Sequence, residues 1–379
     1  MISRHPSRAI VDLNAYASNL TLVQRFAGKE IALIPILKAN AYGHGAIPLA
    51  RKALEANPLL LGVATVEEGI QLREAGIEAP ILLMLQPNQE ALPLCIQYRL
   101  TLMISDTGLA ETLGRLAAQT NTVVPVHIKV DTGMGRQGVS LADALQTIQY
   151  ISRIVHVDIQ GICTHMSTSE IQDDGFTHGQ IKSFKALLKQ VDKAGVPYEV
   201  THAANSAAIV NYRESILDAV RPGLITYGVW PSREKNATPQ LKPVLRWETR
   251  IVFLRDLAPG STIGYGRTYT TFGNTRTAIL PVGYADGFRH SLSNKADVLI
   301  RGRRCPVRGA VSMDQIVVDV SALPNVAVGD VATLIGKDGT QEITAEEMAA
   351  KAGTIPYDIL TGIGTRVHRE YLHETKTDH

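Results

Sequence analysis

Between Val11 and about Gly228, short apolar runs alternate with segments whose apolar residues recur at helical spacing. The first run is Ile31-Ala-Leu-Ile-Pro-Ile-Leu37; others follow at 59–63, 80–85, 100–104, 123–130, 157–164, 198–203 and 219–227. Asp12 is placed to cap a helix ahead of the first run, and 142–153 and 180–194 are helical segments between later ones. Eight strands interleaved with helices read as an α/β fold, a parallel (β/α)8 barrel of the TIM type. A doubly wound open sheet satisfies the same periodicity.

Near 231–243 the texture changes: Pro, Ser, Asn and Thr cluster, and helical patterns then vanish for a long stretch. Runs at 250–254, 277–282, 297–301, 315–320 and 331–335 read as strands, with turns at Ala258-Pro-Gly260 and Lys337-Asp-Gly-Thr340. Only 344–352 reads as helix, with Thr344 and Glu347 spaced as a capping box. The expected organisation is a barrel over 1–240 and a mostly-β C-terminal domain over 241–379, to which the first ten or so residues can pair.

Several side chains stand where chemistry is expected. Lys38 ends the first run, and barrels place reactive groups at the carboxyl ends of their strands. Held partly out of water, such a lysine has a neutral amine able to form a Schiff base. The plainer reading is a surface lysine after a core strand, and spacing alone leaves both open. His165 ends another strand, where a structural hydrogen bond is the commoner role. Ser206 suits either a helix N-cap or a phosphate site after the seventh strand. Gly133, Gly135 and Gly138 satisfy a dinucleotide fingerprint with Asp158 downstream, although Lys129 and Asp131 interrupt the strand leading into it.

The totals exclude more than they assign. A net charge of +2 gives no global footprint for nucleic acid, and the cluster Arg301, Arg303, Arg304 and Arg308 has no interleaved aromatics. Cys95, Cys163 and Cys305 are scattered and odd in number, which suggests a reducing compartment, most simply the cytoplasm, and no zinc site. Met1 to Val11 has no apolar h-region, and no run reaches membrane-spanning length.

The stretch Leu37-Lys-Ala-Asn-Ala-Tyr-Gly-His-Gly45 resembles the pyridoxal-phosphate attachment motif of the alanine racemases. The likeness extends through Lys129-Val-Asp-Thr-Gly-Met-Gly-Arg136, Arg221-Pro-Gly223, Ile263-Gly-Tyr-Gly-Arg-Thr-Tyr269, Gly283-Tyr-Ala-Asp-Gly287 and Ile355-Pro-Tyr-Asp358, covering nearly the whole chain in order. It implies pyridoxal 5'-phosphate on Lys38, with Tyr42, Ser206, Gly223, Leu224 and Tyr357 around the phosphate. Arg136 would contact the cofactor phenolate and the substrate carboxylate, and Lys129 is a carbamylation candidate beside it.

Arg221 would face the pyridine nitrogen. A guanidinium there leaves that nitrogen unprotonated, weakening the electron sink and favouring return of a proton over transamination or elimination. The resemblance implies two bases, Lys38 and Tyr265, with His165 against the tyrosine. It further implies a homodimer in which Tyr265 and Met313 come from the partner, Met313 offering its amide to the substrate carboxylate. Tyr284 would narrow the substrate channel. Ser312 stands where some relatives have cysteine. The implied activity is interconversion of L- and D-alanine for peptidoglycan. A broad racemase acting on serine or basic residues, a fold-related decarboxylase and a single-barrel cofactor carrier are the rivals.

Overall fold

The computed structural model describes residues 6–231 and 240–372. Contacts divide the chain into two compact units, one of residues 16–41 and 46–242, the other of 1–15, 42–45 and 243–379.

In the first unit eight parallel strands follow one another: β2 (Ala32–Leu33), β3 (Leu61–Val63), β4 (Ile81–Leu83), β5 (Thr101–Ile104), β6 (Val124–Asp131), β7 (Val157–Cys163), β8 (Val200–Asn205) and β9 (Ala219–Arg221). They pair in the order β2-β9-β8-β7-β6-β5-β4-β3. The ring closes between β2 and β3 through a parallel bridge of Ile36 with Gly62 and hydrogen bonds from Leu59 N to Leu33 O and Gly62 N to Pro35 O. Helices such as Val66–Glu74, Thr107–Gln119 and Gly175–Lys193 cover the outside. Strands covered on both faces must be apolar throughout, and β3, β4 and β5 are buried at every position.

Two of the expected strands are shorter than their apolar runs. Pro35, which lacks an amide hydrogen, limits the regular part of the first run to Ala32–Leu33, although the chain stays extended to Leu37. The run at 219–227 is a strand only to Arg221. After Pro222 and Gly223 it becomes the 3-10 turn Leu224–Tyr227, so its apolar residues are buried without being strand.

In the second unit, β1 (Arg8–Asp12) lies between Leu245–Arg250, to which it is antiparallel, and His368–Leu372, to which it is parallel. This sheet continues through Val331–Asp338, Asp297–Ile300 and Arg303–Pro306. A three-stranded sheet of Phe253–Leu257, Thr275–Leu280 and Ile316–Asp319 accompanies it. Thr344 caps the helix Ala345–Ala352, accepting from Glu347 N at 3.1 Å. The reciprocal half of the expected capping box is missing, because the Glu347 carboxylate pairs with Arg304 and Lys351 instead. A second helix, Pro356–Thr361, was not evident from periodicity because it is too short to show a repeat. No helix of the described residues is long and apolar enough to cross a membrane.

Candidate active site

Leu37 donates to Gly62 O at 2.7 Å, and the chain then enters an unusual turn. Ala39, Asn40, Ala41 and Tyr42 all have φ of +52° to +53°, a left-handed helical turn made without glycine. Each L-residue in that conformation costs roughly 1–2 kcal/mol. Three hydrogen bonds hold it: Ala41 N to Leu37 O at 2.7 Å, Ala39 N to Glu68 Oε1 at 2.6 Å and Ala46 N to Asn40 Oδ1 at 2.8 Å. Asn40 lies within the turn, and Gly43 and Gly45 follow it. Gly43 is required, since a Cβ there would lie 2.3 Å from Leu360 O.

The turn brings Lys38 to a cavity that is also lined by Lys129, Arg136, His165 and Arg221, with Met84, Met103, Gln137 and Cys163. No carboxylate is among the described residues lining it. Burial lowers the Lys38 pKa; Arg136 and Arg221 push the same way and Glu68 opposes them. Burial likewise lowers Lys129 to about 8, with Arg221 and Arg136 contributing and Cys163 and Asp131 opposing. The cavity therefore holds amines that lose their protons more readily than free lysine does.

Arg221 sits at the end of β9, buried, with a ring of acceptors around it. Its Nη2 donates to Thr164 O (2.7 Å), Ala203 O (2.9 Å) and His165 Nδ1 (3.2 Å). Its Nη1 donates to His202 O (3.0 Å) and, in a very short contact, to His202 Nδ1. Its Nε donates to none of the described residues. A guanidinium can only donate, so both histidines accept at Nδ1 and, when neutral, carry their hydrogen on Nε2. His202 then donates from Nε2 to His127 Nδ1 at 2.7 Å. Burial and then Arg221 hold all three imidazoles neutral: His127 falls to about 4, and His165 and His202 lie well below the usual value. The polar strand residues His127 and His202 were the signal for this relay, and the motif reading passed over both.

Arg136 lies in a loop between β6 and a two-residue strand, Val139–Ser140. The Asp131 carboxylate organises that loop, accepting from the amides of Gly133 (2.8 Å), Met134 (2.7 Å) and Arg136 (3.2 Å). Gly133, Gly135 and Gly138 have positive φ and lead into a strand rather than a helix, so the dinucleotide fingerprint is excluded. Gln137 belongs to no motif read above; its Nε2 is buried in this loop with no hydrogen-bond partner among the described residues.

After β8, Asn205 rather than Ser206 caps the following helix, accepting from Ala207 N and Ala208 N. Ser206 Oγ instead accepts from Gly223 N (2.8 Å) and Ile225 N (3.4 Å), leaving its own hydrogen to donate. The Leu224 amide donates to none of the described residues. A hydroxyl and an unused amide at the start of a turn suit an anionic oxygen.

The remaining candidates belong to the second unit. Tyr42 and Tyr357 rings pack with centroids 5.8 Å apart, and burial followed by Tyr357 raises the Tyr42 pKa. Tyr265, 77% exposed, stands between Gly264 (φ +72°) and Gly266 (φ +69°). Tyr284 and Met313 are also exposed. Their loops are bound together, Tyr284 N to Ser312 O and Ala285 N to Met313 O, both at 3.0 Å. Three members of the arginine cluster are engaged: Arg301 with Asp330 (2.9 Å), Arg304 with Glu347 (2.6 Å), and Arg308 over the Tyr269 ring (4.6 Å). Arg301 and Arg304 are thus paired with carboxylates.

Comparison with known proteins identifies the family. Residues 11–231 match the family described as alanine racemase, N-terminal domain, and 244–371 match alanine racemase, C-terminal domain. The alanine racemase of Halothermothrix orenii is 43% identical over 366 residues, covering 97% of both chains. The solved alanine racemase of Clostridium difficile superposes with a TM-score of 0.93 at 32% identity, over 98% of this chain and 97% of that one. A Bartonella henselae alanine racemase, solved with covalently bound pyridoxal phosphate, gives 0.87 at 29% identity, over 97% of this chain and 99% of that one. By its sequence and by its architecture, the chain belongs to the alanine racemase family.

Proposed function

We propose that this protein interconverts L- and D-alanine using pyridoxal 5'-phosphate attached at Lys38, and so supplies D-alanine for peptidoglycan in the cytoplasm. The observation that carries this reading is the wall of the cavity: two amines, two guanidiniums and a neutral imidazole, with no acid among its described residues. A decarboxylase or transaminating site needs a carboxylate at the pyridine nitrogen, and Arg221 stands in its place.

The residues fit the cofactor on their own chemistry. Lys38 offers an amine with a lowered pKa, and Arg221 Nε donates to none of the described residues. Ser206 and Leu224 offer a hydroxyl hydrogen and an amide to a phosphate oxygen. The resemblance adds Gly223, Tyr42 and Tyr357 to the proposed set of phosphate residues. Once bound, the cofactor withdraws electrons from the substrate's α-carbon and so acidifies the α-hydrogen.

The chain's own groups do the rest. Arg136 holds the substrate carboxylate and the cofactor phenolate, and a carbamate on Lys129 would give it an anionic partner. Lys38 exchanges the α-proton on one face. Tyr265 of the partner subunit exchanges it on the other, so the active species is a homodimer with an expected domain boundary near residue 240. An unaided tyrosine is a weak base near neutrality, with a pKa of about 10. The tautomer imposed on His165 leaves only Nε2–H, which donates to the tyrosine oxygen and stabilises its anion. Arg221 itself supplies a hydrogen bond but no transferable proton. The Met313 amide and Tyr284 close the substrate end of the site.

The test is loss of optical activity of L-alanine with cofactor-loaded protein, run beside L-serine and L-lysine. Rapid loss with alanine alone is expected. Equal rates with all three would move the assignment to a broad racemase, and no loss with any of them would overturn it.

A further inference from the structure

Glu68 is absent from every motif, yet it joins the Lys38 turn to the end of β3. Its Oε1 accepts from Ala39 N at 2.6 Å, the amide next to Lys38. Its Oε2 accepts from Ala64 N at 2.7 Å and Thr65 N at 3.3 Å, where the chain leaves β3. Its own amide donates to Thr65 Oγ1, completing a capping box at the start of Val66–Glu74. Both oxygens face N–H groups, so only a carboxylate satisfies the whole set; an amide would turn a donor toward donors on one side.

We infer that Glu68 is a positioning residue for Lys38: it laces the strained left-handed turn to the end of β3 and places a carboxylate near the amine. The four consecutive left-handed residues need such a clamp, because Asn40 alone among them tolerates that conformation readily. The charges facing Lys38 are otherwise cationic, Arg136 and Arg221, with Lys129 lining the same cavity and His165 neutral. Glu68 opposes them, so it keeps the lysine from losing its proton still more readily. The inference rests on Lys38 being the cofactor lysine.

The experiment is capture of pyridoxal 5'-phosphate by full-length protein stripped of cofactor, followed by visible absorbance from about pH 6 to about pH 10. In Glu68→Ala the plateau rate should fall about tenfold or more, because the amine is no longer held at the cavity wall. In Glu68→Gln the pH midpoint should move down by at least about 0.3 unit, since removing a negative charge favours the neutral amine. Thr65→Val removes the capping hydroxyl but leaves Glu68 and the turn, and should keep the parent plateau. A parent-like plateau in Glu68→Ala, an unmoved midpoint in Glu68→Gln, or an equal loss in Thr65→Val would each overturn the inference. Lys38→Ala separates the two claims: capture by that variant would refute the lysine assignment itself, whatever the Glu68 variants do.

Discussion

Arg221 concentrates the residue-scale chemistry. The carbonyls of Thr164, His202 and Ala203 fix its guanidinium, so its charge cannot swing away from the cavity. Arg221→Glu should therefore raise side transamination at the expense of racemisation, read as pyruvate formed per racemisation event in the folded fraction. Unchanged partitioning would remove the electron-sink argument. Tyr265→Phe should slow α-proton exchange from one enantiomer more than from the other, measured by deuterium uptake; equal losses would count against two bases. The buried histidines also set a pH dependence. Their folded pKa values are lowered, His127 to about 4, so between that value and the ordinary ~6.5 the unfolded chain binds more protons. Stability should fall as pH drops from about 7 to about 5, and His127→Gln should flatten that slope in urea titrations.

At the scale of elements, function sits on loops that strands and half-buried carboxylates hold in place. The Arg136 loop is an example: Gly138 has φ +144°, and a Cβ there would lie 2.5 Å from Asp131 N. Backbone cannot give way as a side chain can, so Gly138→Ala should displace the loop that Asp131 organises. A shift of about 1 Å at a positioning group can cost about a hundredfold. The expected result is a kcat/KM for alanine lower by one to two orders of magnitude with cofactor binding retained, checked by absorbance. Parent-like kinetics would show that the loop tolerates the shift.

At the scale of the whole molecule, the exposure of Tyr265, Phe272 (94%) and Met313 (52%) suits a surface that a second copy covers. If each site takes Lys38 from one subunit and Tyr265 from the other, Lys38→Ala and Tyr265→Phe should complement each other. Unfolded together and refolded as an equal mixture, they should recover about a quarter of parent activity, since half the dimers are hybrid and each hybrid has one intact site. No recovery, with hybrids verified by tagged pull-down, would mean that both groups act within one chain.

Much of this was legible in the sequence because it rests on local pattern. Apolar runs alternating with helical segments require a parallel sheet covered on both faces, since such strands have no polar positions to spare; that the sheet closes into a barrel is decided by the bridge of Ile36 with Gly62. The loss of helical periodicity after residue 231 announced a second kind of architecture, and Lys38, Arg136 and Arg221 were marked by the motifs around them. What the sequence could not settle was anything set by long-range contacts. The left-handed turn of Ala39–Asn40–Ala41–Tyr42 runs against the preferences of its own residues and exists because Glu68 and Leu37 bind its amides. That Ser206 accepts from Gly223 N, rather than capping its own helix, is likewise a contact between distant segments. The histidine tautomers follow from an arginine whose sequence neighbours give no hint of them. Sequence by itself determined which surfaces are buried and which residue types are at hand; the tertiary structure alone decided which donors face which acceptors, because hydrogen-bond partners distant in the chain are chosen by packing and not by local preference.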